Sequence, residues 1–278
     1  MDLEEQAERA EERGDLQASL GLWKEAAEKD QDAVSYCRYG LVAEELGRWE
    51  EAFRAFSEAL RLEPNLFLAM ESMGDLWATR TDTESLESLT KAREWFLKAL
   101  KYERTARVLT FLGSTHRALG ELEKAQTAFE EAVTVNPDYE EALYNLGVLE
   151  EKANPSRAIE VLERATQIDP RYGAAHQALG RLYQKGKDLP RAEYHFRRSL
   201  EVDPADYWSN IYLANLLGAL GRNEEAEQTY RFVTDLHPEI TGGLDLFARF
   251  LDSVGKQEEA AKIRERGLSQ ASDPDFGV

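Results

Sequence analysis

The chain has 278 residues, 42% hydrophobic and 31% charged, with a mean hydropathy of −0.56; these proportions fit a folded, soluble protein and exclude collagen-like, disulfide-framework and membrane-spanning classes. Fifty-three acidic against 34 basic residues leave a net charge of −19, a surface that repels phosphate and anionic lipid, so neither nucleic acid nor a membrane is an expected partner. Cys37 is the single cysteine, which forbids an internal disulfide and calls for no oxidising compartment.

Met1–Arg13 is a charged, helix-favouring run without the apolar centre of a signal peptide. No apolar stretch approaches the ~20 residues of a spanning helix, and the expected compartment is the cytoplasm. From there on, small residues recur at Gly40, Gly74, Gly113, Gly147, Gly180, Ala214 and Ala248, at intervals of 34, 39, 34, 33, 34 and 34. A second series runs Ser19, Ala52, Ala92, Ala125, Ala158, Ala192, Ala226 and Ala260. Four residues after its first seven members stand Trp23, Phe56, Phe96, Phe129, Leu162, Phe196 and Tyr230. Offsets of four and seven put these side chains on one helical face. A glycine or alanine on the facing helix permits close approach. Pro64, Pro137, Pro170, Pro204 and Pro238 stop the second helix of most units, and links such as Gly47-Arg48-Trp49 and Gly120-Glu121-Leu122 end the first. The period predicts helical hairpins over 1–32, 33–66, 67–105, 106–139, 140–172, 173–206, 207–240 and 241–268, in one domain with a short tail over 269–278. The third unit carries about six extra residues near Thr79–Ser88, read as a tolerated insertion. The last has Arg264 and Gly267 where others have an aromatic and an alanine, as a polar end cap should.

Tyr36, Tyr39-Gly40, Ala43, Ala52, Phe56, Ala59 and Pro64 resemble the tetratricopeptide pattern, as do Leu112-Gly113, Ala125, Phe129, Ala132 and Pro137. The similarity extends from Met1 to about Leu268. It implies an all-α, right-handed superhelical solenoid of about eight stacked helix-turn-helix repeats.

Chemistry-bearing motifs are sparse. Gly186 stands alone in Gln184-Lys185-Gly186-Lys187, so there is no phosphate-cradling loop. His116, His176, His195 and His237 are scattered, with no metal-ligand spacing around them. Cys37 has no histidine at a fixed offset. Glutamate pairs such as Glu130-Glu131 read as solvated helix faces. No catalytic residue, metal site or cofactor is expected, and the chain is not expected to be an enzyme.

The resemblance implies instead that the first helix of each pair lines a concave groove for a peptide or partner domain. The inward positions carried over from the family supply Arg107, Phe111, Ser114 and Arg117, then Tyr144, Asn145 and Val148, Gln177 and Arg181, Trp208, Tyr212 and Asn215, and Arg249. Toward the N-terminus, Leu41, Glu44, Glu45, Glu71 and Asp75 make an acidic end. Arginine and aromatic residues are the types enriched at binding hot spots, which places the expected ligand in the basic, aromatic C-terminal half and gives it acidic and aromatic character. The set of lysine, asparagine and arginine residues with which the family anchors chaperone C-termini is missing. A protein-binding scaffold is therefore the leading expectation; a self-assembling protein forming homo-oligomers is the alternative.

Overall fold

A computed structural model describes residues 2–79 and 86–271. Sixteen helices and no strand are present among them. They follow one another as α1 (Leu3–Glu12), α2 (Leu16–Asp30), α3 (Ala33–Glu45), α4 (Trp49–Leu62), α5 (Phe67–Ala78), α6 (Leu86–Ala99), α7 (Ala106–Ala118) and α8 (Leu122–Val135). The series continues with α9 (Glu140–Glu150), α10 (Pro155–Ile168), α11 (Gly173–Lys185), α12 (Leu189–Val202), α13 (Tyr207–Ala219), α14 (Asn223–Leu236), α15 (Thr241–Ser253) and α16 (Gln257–Ala271). The insertion expected near Thr79–Ser88 falls mainly on 80–85, outside the described residues.

Local chemistry sets the helix starts. Asp2, Asp15, Asp32, Thr105, Asn154, Asp188 and Asp206 each accept a hydrogen bond from the backbone N–H three residues on, meeting a donor that the first turn leaves unpaired. Gly47 and Gly120 end first helices with φ of 69° and 75°, a backbone region that glycine enters without a Cβ clash.

The two recurring sequence series meet inside each hairpin. A Cβ added to Gly40, Gly74, Gly113 or Gly180 would lie 2.5 Å from the ring of Phe56, Phe96, Phe129 or Phe196, and one on Gly147 would lie 2.5 Å from Leu162. All four of these rings, and Leu162, are fully buried. In the seventh hairpin Ala214 and Tyr230 take the corresponding positions, and Tyr230 stacks on Phe247 at 5.3 Å between ring centroids. In the eighth, Arg264 instead forms an ion pair with Asp252, so the polar cap read from Arg264 has a partner of its own.

Two compact units divide the chain, Met1–Leu146 and Gly147–Val278. Within the first, α2 packs on α3, α4 on α5 and α6 on α7, and the first helices touch in the series α3, α5, α7. Its apolar core is continuous from Ala7 to Ala142. Within the second, α10 packs on α11, α12 on α13 and α14 on α15, with α11, α13 and α15 in the same serial contact. In each unit the exposed sides of neighbouring first helices therefore form one face.

Candidate functional site: the faces of the first helices

In the first unit this face is acidic around one arginine. Glu71 and Asp75 are one turn apart on α5, so they share a side of that helix; Glu44 comes from α3, Arg107 from α7, and Glu141 from the start of α9. Arg107 Nε is 3.2 Å from Glu71 Oε1, and its guanidinium lies over the Phe111 ring, 5.3 Å from the centroid. Glu71 is only 6% exposed, and its Oε1 accepts no hydrogen bond. The Tyr139 hydroxyl donates to Glu141 Oε2 at 2.7 Å.

The electrostatics follow from the burial. Glu44 is pushed up to about 7, first by loss of water and then by the charge of Asp75, with Arg107 opposing. Burial likewise raises Glu71 and Asp75; in both Arg107 pulls the other way, while Asp75 and Glu103 add to the rise at Glu71 and Glu141 at Asp75. Arg107, read from the sequence as part of the basic end, is thus the cation of the acidic one. Arg117 is half-buried. Asn145 is buried, with its Nδ2 donating to the Glu141 carbonyl at 2.9 Å, and Tyr144 is half-buried.

In the second unit the face is aromatic, and its polar groups are largely engaged, although Arg181 Nε is buried without a hydrogen-bond partner. Gln177 donates to Asp206 Oδ2 at 2.8 Å and Ser209 Oγ at 3.2 Å. Arg181 donates to Glu151 Oε2 at 2.6 Å, and Arg249 pairs with Asp245 at 2.7 Å. Asn215 donates to the Ile211 carbonyl at 2.9 Å and accepts from the Tyr230 hydroxyl at 2.7 Å. Trp208, by contrast, is 53% exposed. It stacks on Tyr212 at 6.0 Å, and Tyr212 stacks on Phe196 at 5.6 Å, a graded series from a buried ring to an open one. Tyr207 braces Trp208 edge-on at 5.0 Å, and its hydroxyl fits only because Gly243 has no Cβ; one there would lie 2.6 Å away.

One pairing escaped the sequence reading of four scattered histidines. His176 on α11 and His195 on α12 are buried with their Nδ1 atoms 2.9 Å apart. His176 Nε2 faces the Pro170 carbonyl at 3.1 Å and donates to it, which leaves the neutral ring's Nδ1 to accept from His195 Nδ1–H. The nineteen-residue separation carries no periodic signal. The contact between Gly180 and Phe196 does, since His176 is one turn before that glycine and His195 adjoins that phenylalanine.

Among the described residues no three His, Cys, Asp or Glu side chains are arranged to hold a metal, and no helix is long and apolar enough to cross a membrane.

Against known proteins, profiles described as TPR repeat or tetratricopeptide repeat match residues 33–66, 113–152, 149–207 and 195–228. Anaphase-promoting complex subunit 3 of Schizosaccharomyces pombe is 27% identical over 154 residues, 55% of this chain and 23% of that protein. Protein O-mannosyl-transferase TMTC3 of Homo sapiens is 29% identical over 172 residues, 56% of this chain and 18% of that protein. The chain spans between 15% and 24% of the length of the curated relatives it matches. The solved structure of PilF from Pseudomonas aeruginosa superposes with a TM-score of 0.69 at 20% identity, over 81% of this chain and 98% of that one. With the recurring glycine–aromatic contact inside its hairpins and four repeat profiles matching along its length, the chain belongs to the tetratricopeptide-repeat family.

Proposed function

We propose that the chain is a protein-interaction scaffold that acts by holding an extended segment or a helix of a partner against its first-helix faces. The observation that carries this reading is Trp208: a large ring, half open to solvent, held in one orientation by Tyr212 and Tyr207. An indole fixed in this way loses little conformational freedom on binding and buries a large apolar area, as hot-spot aromatics do. The partner brings an aromatic or apolar side chain to this ring. A partner carboxylate gains Arg181 by displacing Glu151, which gives the segment acidic and aromatic character. Bound helices and extended peptides are the two recognition modes that such a face serves.

Affinity capture with the intact chain as bait, followed by mass spectrometry, tests the reading. A partner retained by the wild-type chain and lost with Trp208→Ala supports it, with affinity expected to fall at least tenfold, about 1.4 kcal/mol. A partner held equally by both overturns the assignment to this face.

A further inference from the structure

We propose that the first-helix face of the first unit binds a cationic side chain, an arginine or lysine on a partner's segment, in the carboxylate setting that Arg107 now occupies. The proposal rests on reading these faces as binding surfaces and adds the chemistry of what one of them receives.

Glu44, Glu71 and Asp75 share the single guanidinium of Arg107, and Glu103 and Glu141 add their charges at Glu71 and Asp75. With all five ionised and Arg107 in place, the group would retain four negative charges. Fold stability alone does not account for the arrangement, because burying a carboxylate without matched donors costs free energy. Glu71 shows the mismatch most clearly: it is 6% exposed and its Oε1 accepts no hydrogen bond, although Arg107 Nε is 3.2 Å away. That oxygen has a counter-charge but no aligned donor. A guanidinium or ammonium arriving from outside is free to choose its approach, whereas Arg107 is constrained by its place on α7.

Arg107 also shows what an incoming cation would use. Its guanidinium meets both the Glu71 carboxylate and the Phe111 ring face, a combination that suits arginine through charge-assisted hydrogen bonds and cation–π attraction. Its side chain is 57% exposed, so it can swing out to water while the core below stays closed. The in-cis arginine is therefore a placeholder that a partner's cation replaces or joins.

The probe is a fluorescein-labelled Gly-Ser-Gly-Arg-Arg-Gly-Ser peptide, followed by anisotropy at low ionic strength with the full chain. Asp75→Asn, at a half-buried position that keeps its shape, should weaken binding at least about fivefold. The charge-matched control Glu123→Gln, on exposed α8 surface, should leave it within twofold. Arg107→Gln should tighten binding more than Lys101→Gln, an equal charge change at another exposed position. Unchanged far-UV circular dichroism establishes that each variant is folded. The proposal is overturned if Asp75→Asn behaves like Glu123→Gln, or Arg107→Gln like Lys101→Gln, since the peptide would then be sensing only the net charge of −19. Capture of a protein partner through Trp208 together with a peptide indifferent to Asp75 sinks this inference alone. Peptide binding that follows Asp75, with no loss of a captured partner on Trp208→Ala, sinks only the assignment to the second unit's face.

Discussion

The ring of Phe129 occupies the space where a side chain at Gly113 would begin: a Cβ there lies 2.5 Å from Cε1 and 2.6 Å from Cδ1. Alanine is the better helix former by roughly 1 kcal/mol, yet Gly113→Ala should destabilise by about 1–3 kcal/mol, because a fully buried ring must shift. Gly21, inside α2, has nothing within 4 Å of its added Cβ, so Gly21→Ala should stabilise by about 0.5–1 kcal/mol. Urea denaturation of both variants checks the pair; equal signs would mean that helix propensity outweighs packing at Gly113.

Lys187 turns the chain between α11 and α12 with φ of 64°, in the conformation that glycine holds at Gly47 and Gly120. The neighbouring Gly186 is right-handed instead. Lys187→Gly should therefore stabilise the second unit by about 1 kcal/mol, through relief of a Cβ clash. A thermal midpoint no higher than that of the unaltered chain would contradict this.

The two units should respond to acid with opposite sign. Glu44, Glu71 and Asp75 have raised folded-state values, Glu44 to about 7, so the folded first unit keeps protons that the unfolded chain has released. Their contribution is full below the ordinary carboxylate range and is lost as pH rises through their raised values, about 7 for Glu44. His195 is lowered to about 4, first by burial and then by the charges of His176 and Arg191. His176 is lowered by burial, helped by Arg198, while the Pro170 carbonyl, Asp169 and Glu201 oppose the change. The contribution of these rings is present above about 6.5 and is lost as pH falls through their lowered values, for His195 toward about 4 and by roughly 2–3 kcal/mol. Hydrogen exchange corrected for intrinsic rates, compared at pH 7 and pH 5, should show the first unit gaining protection and the second losing it. His195→Phe should blunt only the loss.

Cys37 is fully buried, and burial pushes its thiol up to about 12. In the native chain it should resist alkylation at neutral pH, since the thiolate is the nucleophile. It should react only as fast as the first unit opens, so labelling with iodoacetamide in increasing urea should follow the loss of helix in that unit. Rapid labelling without denaturant would mean that α3 separates from its neighbours locally.

What the sequence determined by itself was the repeating frame. Gly40 and Phe56, or Gly180 and Phe196, recur because each hairpin solves the same local packing problem, and a solution repeated at a fixed period is readable along one dimension. The helix stops at Gly47 and Gly120 were legible for the same reason, since a glycine at positive φ acts on its own turn. The tertiary structure alone decided which charges and rings face one another. Arg107 belongs with the carboxylates of α3 and α5, and Arg181 is held by Glu151. His176 meets His195 across two helices. Such pairings depend on rotamers and on residues about twenty to sixty positions apart, where one substitution changes the partner without disturbing the period. The period therefore carries the fold, while the side chains on its exposed positions set the charge and aromatic character of each face.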